Sequence, residues 1–470
     1  MHDLVLRGAR LAPGAGTVDV AVDAGRIAAV GRVPDTGREE IALDGRRLIP
    51  GLWDRHVHFD QWARTRARLD LSAVASVEAA CAAVAAEDPA GLLVGFGFRW
   101  ATWAEVPTAA PLDSARSAPT VLLSGDLHTA WVNTAAAESL GTLPGLLRED
   151  DAFAVQVRLD TGPVPDALIR DAVDAAAARG VVGISELELA DNVEAWSGRV
   201  ARGIDGLRVQ AGFYPDLLDA RVAAGARSGL AAEGARGLVT HGPLKVITDG
   251  SLNTRTAHCI DPYPDGGVGM QNVAPPLLEE LLSRATAAGI RVAIHAIGDR
   301  ANAIALDAFA ATGARGSIEH AQLLSDGDVA RFARLGVIAS VQPEHALDDR
   351  DAVDSLWAGR AGRTFPLRAL LDAGAALALG SDAPVSPLDP WLGISAAVHR
   401  TRGDREPWRP EHAITVDEAL SASTRGTIAP GQPADLVALD ADPHAAGAAR
   451  LREMPVALTL LGGRPTRLAL

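Results

Sequence analysis

Eight short apolar runs, each ending in polar residues, constrain this chain more than any other feature. In order they are RRLIPGLWDRHVH, GVVGISELE, GLRVQAGFY, PLKVITDG, RVAIHAIGD, GSIEHAQ, GVIASVQPEH and AALALGSDAP. A run that is apolar without alternation suits a parallel strand covered on both faces. Helical stretches separate the runs, among them PPLLEELLSRATAAG and RANAIALDAFAATG. Repeated strand–helix alternation of this kind predicts an α/β fold, a (β/α)8 TIM barrel.

The two ends read differently. DLVLRGARL, VDVAVDAGRIAAVG and EEIALDGRRLI at one end, and ADLVALD and VALTLLGGRPTRLAL at the other, alternate apolar with polar residues between Gly and Pro. They predict short antiparallel strands. We expect residues 1–47 and 427–470 to form one small β-sandwich domain from both termini, and 48–426 to form the barrel. The link between the first and second runs is far longer than an ordinary βα crossover. It predicts a large insertion after the first barrel strand, a lid or specificity subdomain at about 60–178.

Composition excludes several classes. The 59 Asp and Glu against 44 Lys and Arg leave a net charge of −15, without the basic footprint of a nucleic-acid binder. Two cysteines cannot build a disulfide framework or a cysteine-rich zinc module. No apolar run reaches the ~20 residues that cross a bilayer, and the first residues lack a signal-peptide pattern. The expectation is a cytoplasmic enzyme with a small-molecule substrate, no nucleic-acid or membrane partner, and a homodimer left open.

Polar residues at the ends of the runs carry the chemistry. His56 and His58 end the first run and, two apart on a strand, share a face. Lys245 ends the fourth, His295 the fifth, His320 the sixth and Asp382 the eighth. Barrel active sites form at those strand ends. Singly, each residue has a blander use, as a core histidine or a turn cap. Together they form a set of N and O ligands suited to zinc, with manganese, iron or cobalt as alternatives. Six ligands exceed one zinc site and favour two ions sharing a bridging hydroxide. Lys245 is the only lysine in the chain. A buried amine can lose its proton and react, which a guanidinium does not do.

These residues, within PGLWDRHVHFD, LKVITDGSLNTRTA, VAIHAIGDRA, IEHAQ, LGSDAPVSPLDP and IAPGQPADLVALD, resemble the amidohydrolase superfamily. The resemblance is to its YtcJ-like branch, that of N-substituted formamide deformylase (amidohydrolase family 3). It implies that His56, His58 and Asp382 bind a buried metal and that His295 and His320 bind a more exposed one. It implies an N-carboxylated Lys245 bridging two metals, and Asp382 as general acid/base. His128, Trp131 and Asn133 match the branch's D-x-H-x-x-W-x-N pattern. His128 is a catalytic candidate for polarising the scissile carbonyl. Arg255, Gln342 and His345 join these three as candidate substrate contacts. The chain departs from the branch at Arg425 and Gly426, where a longer stretch is normal; the packing of the last barrel helix on the small domain is in question there.

The expected function is hydrolysis of a C–N bond, of an amide, N-acyl or N-formyl compound, by a metal-activated hydroxide. One or two divalent ions per chain are expected, zinc foremost. The alternatives are a cyclic amide hydrolase or deaminase of a nucleobase- or imidazolone-like ring, and a non-catalytic binding barrel.

Overall fold

The computed structural model describes residues 1–88, 90–100, 103–125, 127–160 and 162–470. All eight apolar runs contain strands. They are β1 (Leu52–Val57), β2 (Val181–Glu186), β3 (Arg208–Phe213), β4 (Val239–Ile247), β5 (Val292–Ala296), β6 (Gly316–His320), β7 (Ile338–Val341) and β8 (Leu377–Leu379). They pair in chain order, every pair parallel, and a parallel bridge between Val57 and Ala383 brings β1 beside the segment after β8. A nearly closed eight-stranded barrel results.

Local signals set the helices that cover it. The helix Asp299–Thr312 stops on Gly313, whose φ is +64°, and the helix Asp326–Leu335 stops on Gly336 at +65°. Glycine takes this left-handed conformation without a Cβ clash. Ser325 caps the second helix by accepting from the Asp328 backbone N–H. The outer faces of the strands, Val246, Ile294, Ile318 and Val341, share one core with Leu282, Leu306, Phe309 and Phe332. Barrel interiors are ordinarily filled by branched apolar side chains. Inside this one, polar residues, among them Arg55, Ser185, Gln210 and Ser340, line a cavity.

Strands from both ends of the chain build two four-stranded sheets. One has the order Arg26–Gly31, Val18–Asp23, His2–Ala9, Gly37–Ala42; the other has the order Arg464–Leu468, Val456–Leu461, Leu436–Leu439, Arg47–Pro50. Leu4, Leu6, Val20 and Ile41 of the first share an apolar cluster with Leu48, Leu436, Leu458 and Leu460 of the second. One pair departs from the antiparallel expectation: His2–Ala9 runs parallel to Gly37–Ala42. The single run RRLIPGLWDRHVH divides at Gly51. Arg47–Pro50 belongs to the terminal sheet and β1 to the barrel. A Cβ at Gly51 would stand 2.4 Å from a Val182 methyl, so only glycine fits where the chain crosses between sheets.

The chain clusters into two compact units, Met1–Phe59 with Val173–Leu470, and Asp60–Ala172. The second has its own five-stranded sheet, ordered Gly145–Arg148, Thr129–Val132, Thr120–Ser124, Leu93–Phe98, Leu69–Asp70. Val121, Leu123, Ala130 and Val132 are buried in its core. Among the described residues no helix is long and apolar enough to cross a membrane.

Because Val182 is fully buried, it cannot yield to a new methyl group. Gly51→Ala is expected to cost ~1–3 kcal/mol, as overpacking does, and to lower the thermal midpoint of unfolding.

Candidate metal centre

His56, His320 and Asp382 bring one ligand atom each within 4.8 Å of one another. His58 and Lys245 join them. Nε2 of His58 and Nε2 of His56 both lie 3.4 Å from Oδ1 of Asp382, and Lys245 Nζ lies 3.1 Å from His56 Nε2. The His295 ring packs against His320 with centroids 4.5 Å apart, and the His56 and His320 centroids are 5.1 Å apart. All six expected ligands therefore converge at the carboxyl ends of β1, β4, β5, β6 and β8.

Strand alternation alone would not deliver them. The pairing of β1 with β2 slips between Asp54 and Val57, a bulge that lets Arg55 and His56 both reach the barrel interior. At the end of β6, Glu319 occupies the inward position and His320 follows it. A φ of +73° at His320 turns the chain so that the imidazole also meets the centre. Asp382, beyond β8, has a φ of +57°. A non-glycine residue held in the left-handed region stores strain of ~1–3 kcal/mol, and here the strain lies on two ligand candidates.

Electrostatics prepare the donors. Burial pushes the His56 and His320 imidazoles below their ordinary range, and burial with the Lys245 charge takes His295 down to about 3. Each shift favours the neutral imidazole, the state a metal requires. His58 moves upward: burial opposes its charge, but the hydrogen bond and the charge of Asp382 outweigh that. Burial alone would raise Asp382; the surrounding imidazoles, His56 foremost, hold it well below the usual carboxylate range. Burial lowers the Lys245 amine toward its neutral form.

Two carboxylates that sequence reasoning missed orient these rings. Glu319 accepts from His56 Nδ1 at 2.8 Å, which leaves His56 Nε2 with its lone pair toward Lys245 and Asp382. Burial would raise Glu319, but His56, Lys245 and Ser317 bring it down to about 2. Asp249, fully buried, accepts backbone N–H groups from His258, Ile297 and Gly298 at 2.9–3.1 Å. Its Oδ1 also lies 3.4 Å from His295 Nε2, which leaves His295 Nδ1 for a ligand. Glu319 stands next to a histidine in IEHAQ, where alternation assigns it the opposite face.

Unpartnered atoms test whether a metal fits. Nδ1 of His320 is buried without a hydrogen-bond partner. Buried polar atoms are otherwise almost always paired. With neutral imidazoles, an ionised carboxylate and carboxylate-oriented rings, the donor set fits a divalent cation.

The other candidates divide. Gln342 follows β7 and is 1 % exposed, with Nε2 3.4 Å from His56 Nδ1 and Oε1 unpartnered. His345 does not end the seventh strand, as expected, but sits in the helix Pro343–Asp348. Its ring stacks on His320 at 6.1 Å and its Nε2 has no partner. Arg255 is exposed, and its Nη1 donates to Asp265 Oδ2 at 2.7 Å. The other three belong to the second unit. His128 Nδ1 is 3.0 Å from Glu149 Oε2. Trp131 is fully buried and donates to the Thr108 carbonyl; Asn133 is fully buried and caps the helix Thr134–Leu140 while its amide also binds the Arg116 and Ala118 carbonyls. These contacts make Trp131 and Asn133 core and capping residues, a correction to the expectation that they touch substrate. Asp126, the first residue of that motif, lies outside the described residues.

The model of a family described as "Amidohydrolase family" matches residues 39–467. The protein YtcJ of Bacillus subtilis (strain 168) is 28% identical, over 92% of this chain and 90% of its own. N-substituted formamide deformylase of Arthrobacter pascens is 31% identical, over 48% and 45%. The crystal structure of an uncharacterized metal-dependent hydrolase from Pyrococcus horikoshii OT3 superposes with a TM-score of 0.80 at 25% identity, covering 95% of this chain and 99% of that one.

Glu319→Gln should keep the shape but lose the charge that holds His56. Loss of such an orienting carboxylate costs ~10–100-fold in metal affinity. Metal retained against a chelator series measures it.

Proposed function

This chain belongs to the amidohydrolase family, and from that premise we propose that it hydrolyses a C–N bond of an amide, N-acyl or N-formyl compound at a metal centre. The observation that carries this reading is the convergence of His56, His320 and Asp382 ligand atoms within 4.8 Å, with His58 and Lys245 against them. In the proposed assignment His56, His58 and Asp382 hold one divalent cation, and His295 and His320 a second. Lys245, carboxylated on its amine, would offer a ligand to both; zinc fits the N/O donor set. A cation bound there supplies a Lewis acid and lowers the pKa of water toward neutrality.

The chain's own groups do the rest. Asp382 is kept ionised by the imidazoles around it, so its carboxylate is able to accept a proton from attacking water and return it to the leaving nitrogen. Gln342 and His345 offer the amide oxygen and ring nitrogen that lack partners, and we assign them to substrate. Relatives support the bond type: one is named for deformylation of N-substituted formamides. Another, a solved structure of 16% identity that shares the fold, is named N-isopropylammelide isopropylaminohydrolase.

Elemental analysis of protein grown with added zinc and bicarbonate is expected to give two metals per chain. Lys245→Arg should lower that count and abolish turnover, because a guanidinium forms no carbamate; full activity in this variant overturns the bridging role. Asp382→Asn should lower kcat by ~10²–10⁴-fold. Release of carboxylate or formate from amides supports the proposed reaction. Release of ammonia from ring substrates alone would replace it with deamination.

A further inference from the structure

The amino-terminal end of the barrel concentrates positive charge that the hydrolytic centre does not use. Arg55 and Arg291 line its inner cavity of about 40 Å³, with Ser185, Gln210 and Ser340. Arg55 Nε and Ser340 Oγ are buried without a hydrogen-bond partner, and Ser340 is 1 % exposed. Arg425, from the loop after the helix Val416–Ala422, lies over the Trp53 ring at 4.0 Å. Its Nη2 donates to Ser185 Oγ at 3.2 Å and to Gln210 Oε1, both neutral acceptors. Glu319 is the carboxylate lining this cavity, and both its oxygens are taken, by His56 and by Ser317.

Three guanidinium groups therefore gather here against one carboxylate, Glu319, whose charge also acts on Arg55. Gln210 also lines a second, outer cavity of about 350 Å³, with Arg425, Trp53, Thr240 and Gln432. The inner space has room for the oxygens of an ion, and the outer one for an organic remainder. Guanidinium forks match the geometry of carboxylate and phosphate, and cations gathered around a cleft favour a bound anion.

We propose that this end of the barrel is an oxyanion-binding site. It takes the carboxylate or phosphate head group of a small organic anion among Arg55, Arg291 and Arg425, with the remainder in the outer cavity. Arg291 precedes β5, Gln210 lies in the first half of β3 and Arg425 follows the helix Val416–Ala422, so these groups stand away from the strand ends that carry the ligands, while Arg55 directly precedes His56.

The test is calorimetric titration of the metal-loaded full-length chain with inorganic phosphate and, separately, with acetate, at ionic strength held constant with chloride. A saturable heat is expected with at least one of them, and the one that binds identifies the head group. Arg425→Gln is expected to weaken binding tenfold or more. Arg291→Gln, at an exposed position that leaves the fold intact, is expected to weaken it as well, with the metal content unchanged. Absence of a saturable heat with either anion overturns the proposal. So does binding that persists unchanged in both variants, which would place the anion at the metal centre instead.

Discussion

A β-strand offers only every second side chain to one face, and a site built on strand ends must work around that rule. Here the number of groups gathered at the barrel mouth exceeds what regular alternation supplies from these strands. The bulge in β1 and the left-handed backbone at His320 and Asp382 supply the difference. Each is a local departure held in place by the barrel around it. Gly380 shows how tightly: a Cβ there would stand 2.7 Å from the His56 backbone nitrogen. Asp54 completes the fit by accepting N–H groups from His56 at 3.2 Å and Ser381 at 2.9 Å. The segment after β8 is thereby fastened to β1 at the point where their ligands meet.

Charge balance follows from the same crowding. Four imidazoles and one amine buried together would repel one another if protonated, and burial keeps most of them neutral. The charge that remains is carried by Asp382 and Glu319, one facing the ligands and one behind them. Glu319 is the pivot, since one oxygen orients His56 and the other is held by Ser317. Asp249 does the corresponding work for His295 and also ties the loops after β4 and β5 together. Burial pushes the carboxyls of Asp54 and Asp249 up to about 7 even though both accept backbone hydrogen bonds.

Much of this was legible in the chain. The eight apolar runs gave the strands and their order, because parallel strands covered on both faces need continuous apolar sequence. The polar residues at their ends gave the six residues that the fold brings together. The sequence was silent where the backbone leaves its regular path. Glu319 was passed over because alternation assigns it a different face from His320, and nothing in IEHAQ announces a positive φ. Trp131 and Asn133 drew attention by motif, yet their side chains satisfy the interior of their own unit. The split at Gly51 was hidden inside one apolar run, because two strands of different sheets abut there with a single glycine between them.

The strand Arg47–Pro50, which leads directly into β1, pairs with Leu436–Leu439, almost the whole chain away. Loop-closure entropy makes such a contact slow to form. During synthesis this strand must wait for its partner with an unpaired edge, next to the first barrel strand. An edge of that kind is a template for pairing with another chain. The terminal sheet thus acts as a late clasp. The sheet that anchors the amino-terminal end of β1 is completed only when the last strands are made, and the interval before that leaves the nascent protein exposed to aggregation.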